Sequence, residues 1–230
     1  MSLLTALQAA AVMVSLPRPS TITGSTSETQ QLLLDLARRE AKELSRRHEW
    51  AELQAERVFS ALAAETQTGM VPTDFDRMIP DTFWNRSARR KAVGPLSPQD
   101  WQYQKGWGVN AAIEHQWMRR GADIVLTPAP AAGEELAFEY IRSTPVRALA
   151  GTLKAQFDDD SDTFLLDEEI LTLGVAWRYL RQKGLDYAEE LKAYEWRVAQ
   201  SAPASRGSSA ISIGGTGQGI GQAMVAEGDW

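Results

Sequence analysis

The chain has 230 residues, a formal net charge of −6 and no cysteine. This length can bury a core without covalent cross-links, and the lack of cysteine excludes disulfides, thiolate nucleophiles and cysteine-based metal sites. The acidic balance argues against a general nucleic-acid-binding protein, because neutralising phosphates requires a basic face. No stretch reaches the roughly 18 apolar residues of a membrane span, so we expect no membrane partner and synthesis in a cytoplasm.

The first 50 residues are predicted to form two helices. Residues 3–16 have an apolar helical pattern that ends before Pro17, and they lack the basic start of a signal peptide. Ser25 and Glu28 have the spacing of a capping box, which predicts a second helix that runs to about Arg47. Its apolar residues recur at helical spacing, with Glu40 as a polar exception within the stripe.

Strand patterns dominate from about residue 56 to residue 141. Residues 56–62 and 66–71 are predicted to form a hairpin, and residues 123–126 and 135–141 two further strands joined by a loop that ends at Gly133. Residues 94–102 predict a turn that leads into a short helix.

Two helices are predicted to close the folded part. Asp167 and its acidic neighbours favour a helix N-terminus, Gly184 breaks the pattern, and a second helix follows from Asp186. The fold class predicted is α+β, with a mainly helical body (1–50 and 166–200), a β-rich insertion (about 56–141) and an extended C-terminal tail. We expect the four terminal helices to pack together, so that residues 1–200 form one domain.

The tail, residues 201–230, contains a glycine-rich stretch that resembles the nucleotide-binding loop of short-chain dehydrogenases. The resemblance lies in Gly215, Thr216, Gly217, Gly219 and Gly221. Such a loop binds a dinucleotide only when a sheet with further βα units holds it, and nine residues after Gly221 cannot supply one. The stretch therefore predicts a flexible strap without a cofactor.

Apolar residues in the same tail indicate a partner-binding segment, because a purely solubilising tail would not need them. Ile211 and Ile213 alternate, as in a strand that adds to an exposed sheet edge. The candidate partner-binding residues are Ile211, Ile213, Ile220, Met224, Val225 and Trp230.

The acidic run at residues 158–169 has the spacing of a calcium loop. Asp158, Asp160 and Asp162 occupy positions one, three and five, and Glu169 occupies position twelve. Thr163 replaces the glycine that the sharp turn needs, which favours an acidic loop before a helix; a calcium-binding or nucleotide-binding enzyme stays the alternative.

The two histidines do not lie in a catalytic motif. His48 follows a helix end, where a cation suits the dipole, and His115 lies in a polar loop that predicts a solvated ring. We therefore predict no catalytic, cofactor or metal residues.

Two basic runs, residues 87–91 and 118–120, lie close in sequence to tryptophans. Interleaved tryptophan and arginine is typical of single-strand nucleic-acid binding and also of protein–protein hot spots. The acidic net charge favours protein contact. The tryptophans concerned are Trp84, Trp101, Trp107 and Trp117.

Five blocks of the sequence, in order, resemble the head-to-tail adaptor (connector) proteins of tailed bacteriophages. They are "LARREAKELSRRHEW" (36–50), "PTDFDRMIPDTFWNR" (72–86), "GPLSPQDWQ" (94–102), "LTPAPAAGEELAFEYI" (126–141) and "LDEEILTLGVAWRYLRQKGLDYAEELKAYEWRV" (166–198). The glycine-rich tail is not part of this pattern.

The resemblance implies a structural virion protein at the head–tail junction, made in the host bacterial cytoplasm. It implies a ring, usually of twelve copies, below the portal protein, in contact with tail or nozzle proteins and around the DNA channel. Genomic DNA is then only passing cargo, and an acidic wall lets the duplex slide. The resemblance carries no catalytic residues.

Overall fold

The structure, a computed structural model, describes residues 2–107 and 114–206. Within these stretches the chain forms five helices and eleven strands in three antiparallel sheets. The helices are α1 (Leu3–Met13), α2 (Glu28–Arg47), α3 (Pro98–Trp107), α4 (Glu168–Gln182) and α5 (Ala188–Arg206). The strands are β1 (Gln54–Ser60), β2 (Thr66–Gln67), β3 (Phe75–Met78), β4 (Trp84–Asn85), β5 (Arg90–Lys91), β6 (Gln116–Arg120), β7 (Asp123–Thr127), β8 (Glu135–Arg142), β9 (Val146–Arg147), β10 (Leu153–Lys154) and β11 (Thr163–Phe164).

The largest sheet is built around β8. Strand β8 pairs with β1 along one side and with β3 and β4 along the other, and β5 extends the sheet beyond β4. The second sheet has the order β2-β7-β6, and the third has the order β10-β9-β11. Strands β1 and β8 are in register over seven residue pairs, from Gln54 opposite Ile141 to Ser60 opposite Glu135.

The first core lies around α4, which contacts α1, α2 and α5. Apolar residues of α4 recur at helical spacing, and burial of that stripe supplies most of the stability of such a helix. The β10-β9-β11 sheet covers the same core with Val146 and Phe164. The largest fully buried side chains of this core are Trp50, Phe157, Leu3, Leu7, Ile22, Leu33, Leu44 and Leu53.

The second core fills the space between the β8 sheet and the β2-β7-β6 sheet. It is aromatic: the ring centroids of Phe83 and Phe138 are 5.7 Å apart, and those of Phe83 and Trp117 are 5.4 Å apart, both edge to face. Such pairs add about 0.5–1.5 kcal/mol each beyond the area that they bury. Helix α3 covers the other face of the β2-β7-β6 sheet with Trp101.

The expectation of a mainly helical body is wrong. The structure is 38% helical and 22% strand, and one of its three sheets lies against the helices themselves. The sequence pattern does not reveal β9, β10 and β11, because strands of two residues are too short to show an alternation of period two.

The predicted hairpin of residues 56–62 and 66–71 is also wrong, since β1 pairs with β8 and β2 pairs with β7. The side chain of Gln67 replaces the missing ladder. Its Nε2 donates to the carbonyl oxygens of Leu62 (3.0 Å) and Ala64 (2.5 Å), and its Oε1 accepts from the Leu62 N–H (2.8 Å). These bonds satisfy backbone groups in the turn between β1 and β2.

The helix ends differ slightly from the predicted ends. Helix α1 stops at Met13, and α2 has Ser27 rather than Ser25 as its N-cap, while the hydroxyl of Ser25 accepts from the Ser27 N–H. Helix α5 continues to Arg206, past the predicted start of the tail. The domain boundary near residue 200 stays a prediction, and residues 207–230 lie outside the described residues.

Candidate protein-interaction site

Three apolar side chains lie side by side on the outer face of the β8 sheet. Val58 of β1 and Trp84 of β4 both pair with Ala137 of β8, from opposite sides. Val58 is 38% exposed and Trp84 is 45% exposed, whereas Ala137 is buried beneath them. Because Ala137 is small, the two larger side chains flank a shallow depression. We call these three residues the Trp84 row.

Ion pairs surround the Trp84 row. Arg86 pairs with Glu56 and lies 3.6 Å from a carboxylate oxygen of Glu135, and the Lys91 ammonium lies 2.6 Å from Asp81. A depression of about 400 Å³ lies between Trp84 and these ion pairs, and its wall includes Glu56, Asp81, Thr82, Arg86, Ala137 and Glu139. An apolar centre inside a polar rim is the usual anatomy of a protein–protein contact.

The backbone of β1 is open on one side. The backbone groups of Glu135 and Glu139 in β8 face β4 and β3. The carbonyl oxygen of Glu135 accepts from the Arg86 N–H, and the carbonyl oxygen of Glu139 accepts from the Ile79 N–H. Alternation along the ladder then directs Glu56, Val58 and Ser60 of β1 away from β8. Within the described residues no hydrogen bond reaches the backbone N–H or C=O of these three. We call them the free edge.

A second depression, of about 290 Å³, lies between β3 and the β2-β7-β6 sheet. The guanidinium of Arg119 sits 4.6 Å from the ring centroid of Phe75 at this site. Apolar residues form most of its wall, including Phe75, Met78, Ile79, Pro80, Pro95 and Trp117.

The ring of His115 is held, which corrects the expectation of a solvated side chain. Its Nδ1 lies 2.9 Å from the Pro128 carbonyl oxygen, and its Nε2 lies 3.1 Å from the Asn85 amide nitrogen and 3.6 Å from Glu134. Asn85 is fully buried and donates to Glu134 at 2.8 Å. This cluster ties β4 to the starts of β6 and β8.

His48 also has a structural environment. Its ring packs edge to face on Trp50 with centroids 5.4 Å apart, and its carbonyl oxygen accepts from Arg77. Both histidines therefore lie in contacts between elements.

The carboxylates of the predicted calcium loop bind the chain's own backbone. Asp160 accepts from the N–H groups of Ile22 (3.1 Å) and Thr23 (2.8 Å) and from the hydroxyl groups of Thr21 and Thr23. Burial acts to raise the pKa of Asp160, but hydrogen bonds from Thr23, Thr21 and Ile22 outweigh it and hold the pKa below its usual value.

Asp162 has a similar role within the loop. It accepts from the N–H groups of Asp158 and Asp159 and from Lys154. Burial acts to raise its pKa, and the bonds from Asp158 and Lys154 lower it on balance. Within residues 2–107 and 114–206, no group of three or more histidine, aspartate or glutamate side chains is arranged to hold a metal ion.

The predicted cluster of exposed tryptophans forms only in part. Trp101 and Trp117 are 3% and 5% exposed and belong to the cores, while Trp84 is exposed as the interaction hypothesis requires. The Trp101 ring is flanked by Lys105 and Arg120, whose charged groups lie 5.3 and 5.9 Å from its centroid. The side chain of Trp107 and the tail candidates from Ile211 to Trp230 lie outside the described residues.

The sequence prediction missed Val58 and the free edge. In the structure Glu56, Val58 and Ser60 alternate with the more buried Ala55, Arg57 and Phe59, but the residue types of the two sets are both of mixed polarity, so the sequence alone carries little of this signal. The sequence also does not reveal whether a second strand covers the edge of β1.

The comparisons with known proteins identify the family. A model of the SU10 adaptor protein family matches residues 1–212, which is more than nine tenths of the chain and includes Ile211. No sequence among curated proteins matches at a significant level. None of the helices in the described stretches combines the length and apolar character needed to cross a bilayer. The predicted resemblance to phage adaptors is confirmed, and the chain belongs to the SU10 adaptor protein family, a family of structural adaptor proteins of bacteriophages.

Proposed function

We propose that the protein is a head-to-tail adaptor that assembles as a ring of twelve copies below the portal protein. In this role it joins the capsid to tail or nozzle proteins at the head–tail junction of the virion and surrounds the DNA channel. The family match over residues 1–212 carries the proposal. The Trp84 row, with its ionic rim, supports it, because tryptophan is enriched among the residues that dominate protein–protein binding.

The proposed role is non-catalytic. His48, His115, Asp160 and Asp162 are all engaged in contacts that connect elements of the fold. This use of the only two histidines and of the acidic loop favours a structural role over the alternative of a calcium-binding or nucleotide-binding enzyme. Calorimetry with calcium and with NAD is expected to show no binding, and micromolar calcium binding that is lost in Glu169→Gln would contradict the proposal.

The tail is proposed to attach the subunit to its partners. Ordering the glycine backbone costs conformational entropy. Burial of the apolar residues offsets part of that cost, because it contributes a free energy of about 25 cal/mol per Å² of apolar surface. The proposed contact residues remain Ile211, Ile213, Ile220, Met224, Val225 and Trp230. Genomic DNA is passing cargo, and the net charge of −6 keeps it from adhering to the wall.

Mixing the purified full chain with the portal protein of the same phage tests this function. Light scattering and negative-stain images should show one large species in which a ring of the adaptor extends the portal. Each contact between neighbours can be modest, because a closed ring sums them. Two species that remain separate at physiological salt would contradict the proposal.

A further inference from the structure

The free edge of β1 presents the backbone of three alternate residues, Glu56, Val58 and Ser60. An edge of this length is a template for another strand, and proteins usually block it with proline, lysine or a bulge. Strand β1 has no proline or lysine and pairs with β8 without a register shift. Its two charged side chains are engaged elsewhere, Glu56 with Arg86 and Arg57 with the carbonyl oxygen of Met70. The edge therefore has the properties of a docking site for an extended segment.

The outer face sets the chemistry of the occupant. An added strand would place every second side chain next to Val58, in line with Ala137 and Trp84. The occupant therefore needs β-branched or aromatic residues at positions i and i+2, and it needs a backbone that is not committed to another sheet.

One segment of this chain outside the described residues fits these needs. Residues 210–213, Ala-Ile-Ser-Ile, alternate in the required way, and Gly214 and Gly215 end the strand pattern immediately afterwards. The segment starts four residues after the end of α5 at Arg206. It belongs to the 24 residues, 207–230, that follow the described part of the chain. Both isoleucines can lie on the face of the Trp84 row while Ser212 lies on the other.

We propose that residues 210–213 of one copy add as a strand to the free edge of β1 in a neighbouring copy, with Ile211 or Ile213 beside Val58. The inference rests on the proposed ring, because it assigns the contact that links consecutive subunits. If each copy gives a strand to the next, the two copies contact each other through different surfaces. Such a heterologous contact closes into a ring when the rotation from one subunit to the next permits. The remainder of the tail, as far as Trp230, stays available for the portal protein.

Cysteine cross-linking tests the contact directly, because the chain has no native cysteine. Val58→Cys and Ile211→Cys chains are mixed, assembled with the portal protein and oxidised; the same is done with Val58→Cys and Ile213→Cys. A disulfide-linked dimer containing one chain of each kind is expected for at least one pair. Leu149→Cys, whose native side chain is 82% exposed and lies between β9 and β10, replaces Val58→Cys as the control and should give no such dimer.

A chain that carries both cysteines distinguishes exchange from a contact within one copy. Strand exchange gives a ladder of linked chains in the assembled ring, whereas a contact within one subunit gives a cross-linked monomer of altered mobility. The second result would overturn the proposal.

Val58→Pro provides an independent test. Proline removes an N–H that faces away from β8, so the native ladder keeps its bonds while the added strand loses one. We expect ring formation to weaken by about tenfold or more in Val58→Pro, because a hydrogen bond and the fit of the strand are lost together, and to change less in Val58→Ala. Circular dichroism of the free subunit checks that the variant is folded.

The outcomes separate this inference from the proposed function. Rings on the portal protein without a cross-link at either pair would overturn the strand exchange and leave the adaptor role intact. Absence of any complex with the portal protein would overturn the adaptor role itself. Equal ring formation by folded Val58→Pro and the wild type would also overturn the strand exchange.

Discussion

At the scale of single residues, Asp160 shows how an acidic loop stabilises the fold. Its carboxylate accepts hydrogen bonds from four donor groups of Thr21, Ile22 and Thr23. Asparagine offers one oxygen and would point an N–H₂ group at some of the same donors, so Asp160→Asn should lower the free energy of unfolding at pH 7 by about 1–3 kcal/mol. Urea denaturation measures the change, and Asp159→Asn, which loses only contacts to Ser161, serves as the matched control.

The same residue predicts a dependence on pH. The folded-state pKa of Asp160 lies below the ordinary value of 3.8, so its contribution to stability is fully present above that value. The contribution is lost as the pH falls through the folded pKa, where the wild-type carboxyl becomes protonated. We expect the difference between wild type and Asp160→Asn to be constant at neutral pH and to shrink in strong acid, and a difference that grows on acidification would contradict this account.

Gly174 is predicted to stabilise the protein more than alanine would, although it lies inside α4. A β-carbon there would lie 2.5 Å from Cδ of Glu40, a fully buried carboxylate that accepts from Arg178 and Tyr194 at 2.6 Å each. Alanine normally gains about 1 kcal/mol over glycine in a helix, but displacing a buried ion pair costs more. Gly174→Ala should therefore lower the free energy of unfolding by about 1–3 kcal/mol in chemical denaturation.

Gly106 gives the control for this prediction. It lies in α3, and a β-carbon at that position would meet no atom within 4 Å. Gly106→Ala should therefore leave stability unchanged or raise it by up to about 1 kcal/mol. Equal effects of the two substitutions would mean that the contact between Gly174 and Glu40 does not limit the packing of α4.

At the scale of elements, Gln67 closes the turn between β1 and β2 with three hydrogen bonds to Leu62 and Ala64. Gln67→Leu keeps the buried volume but leaves these backbone groups without their partner, at a cost of about 1–3 kcal/mol. Amide hydrogen exchange at Leu62 should become faster, while exchange in β8 changes less. Gln102→Leu on the exposed side of α3 is the control, and unchanged exchange at Leu62 would contradict the assigned role.

The sequence predicts the long helices well and the sheet pairings poorly. Helices α2 and α4 have apolar residues at the spacing of one helical face, a local signal that extends over several turns. The partner of β1 is β8, about 80 residues away in the chain, and a local pattern contains no information about that distance. The prediction therefore chose the nearest strand-like segment, at residues 66–71.

The candidate site shows the same limit. Spacing identifies Trp84, Trp101 and Trp117 as a group near basic residues, but burial separates them, because Trp101 and Trp117 fill cores while Trp84 lies on an outer face. Only the pairing of β4 with β8 brings Trp84 beside Ala137, and only the pairing of β1 with β8 brings Val58 to the same row. The residues of a candidate site assembled from three strands cannot be read from any one of those strands.

At the scale of the whole molecule, β8 joins the two cores. Ile141, near its C-terminal end, belongs to the helical core, while Leu136 and Phe138 belong to the core between the sheets. Strand β1 runs beside it from Gln54 to Ser60 along the same path. A continuous two-stranded ladder therefore connects the two cores, a rigid link that would suit the proposed position between capsid and tail.

The tail is predicted to contribute to assembly and little to the stability of the free subunit. Deleting residues 207–230 leaves α5 whole, including the bonds from Arg197 and Ser201 to Asp167. The melting temperature should change by less than about 2 °C, because no contact of the described cores is removed. Attachment to the portal protein should be abolished or strongly weakened, since Ile220, Met224, Val225 and Trp230 are lost, and a buried tryptophan at an interface can supply about 2 kcal/mol or more. Co-sedimentation of Trp230→Ala beside the truncated chain measures how much of the lost binding is due to that one side chain. If the truncated subunit binds the portal protein with wild-type affinity, the tail is only a solubilising appendage.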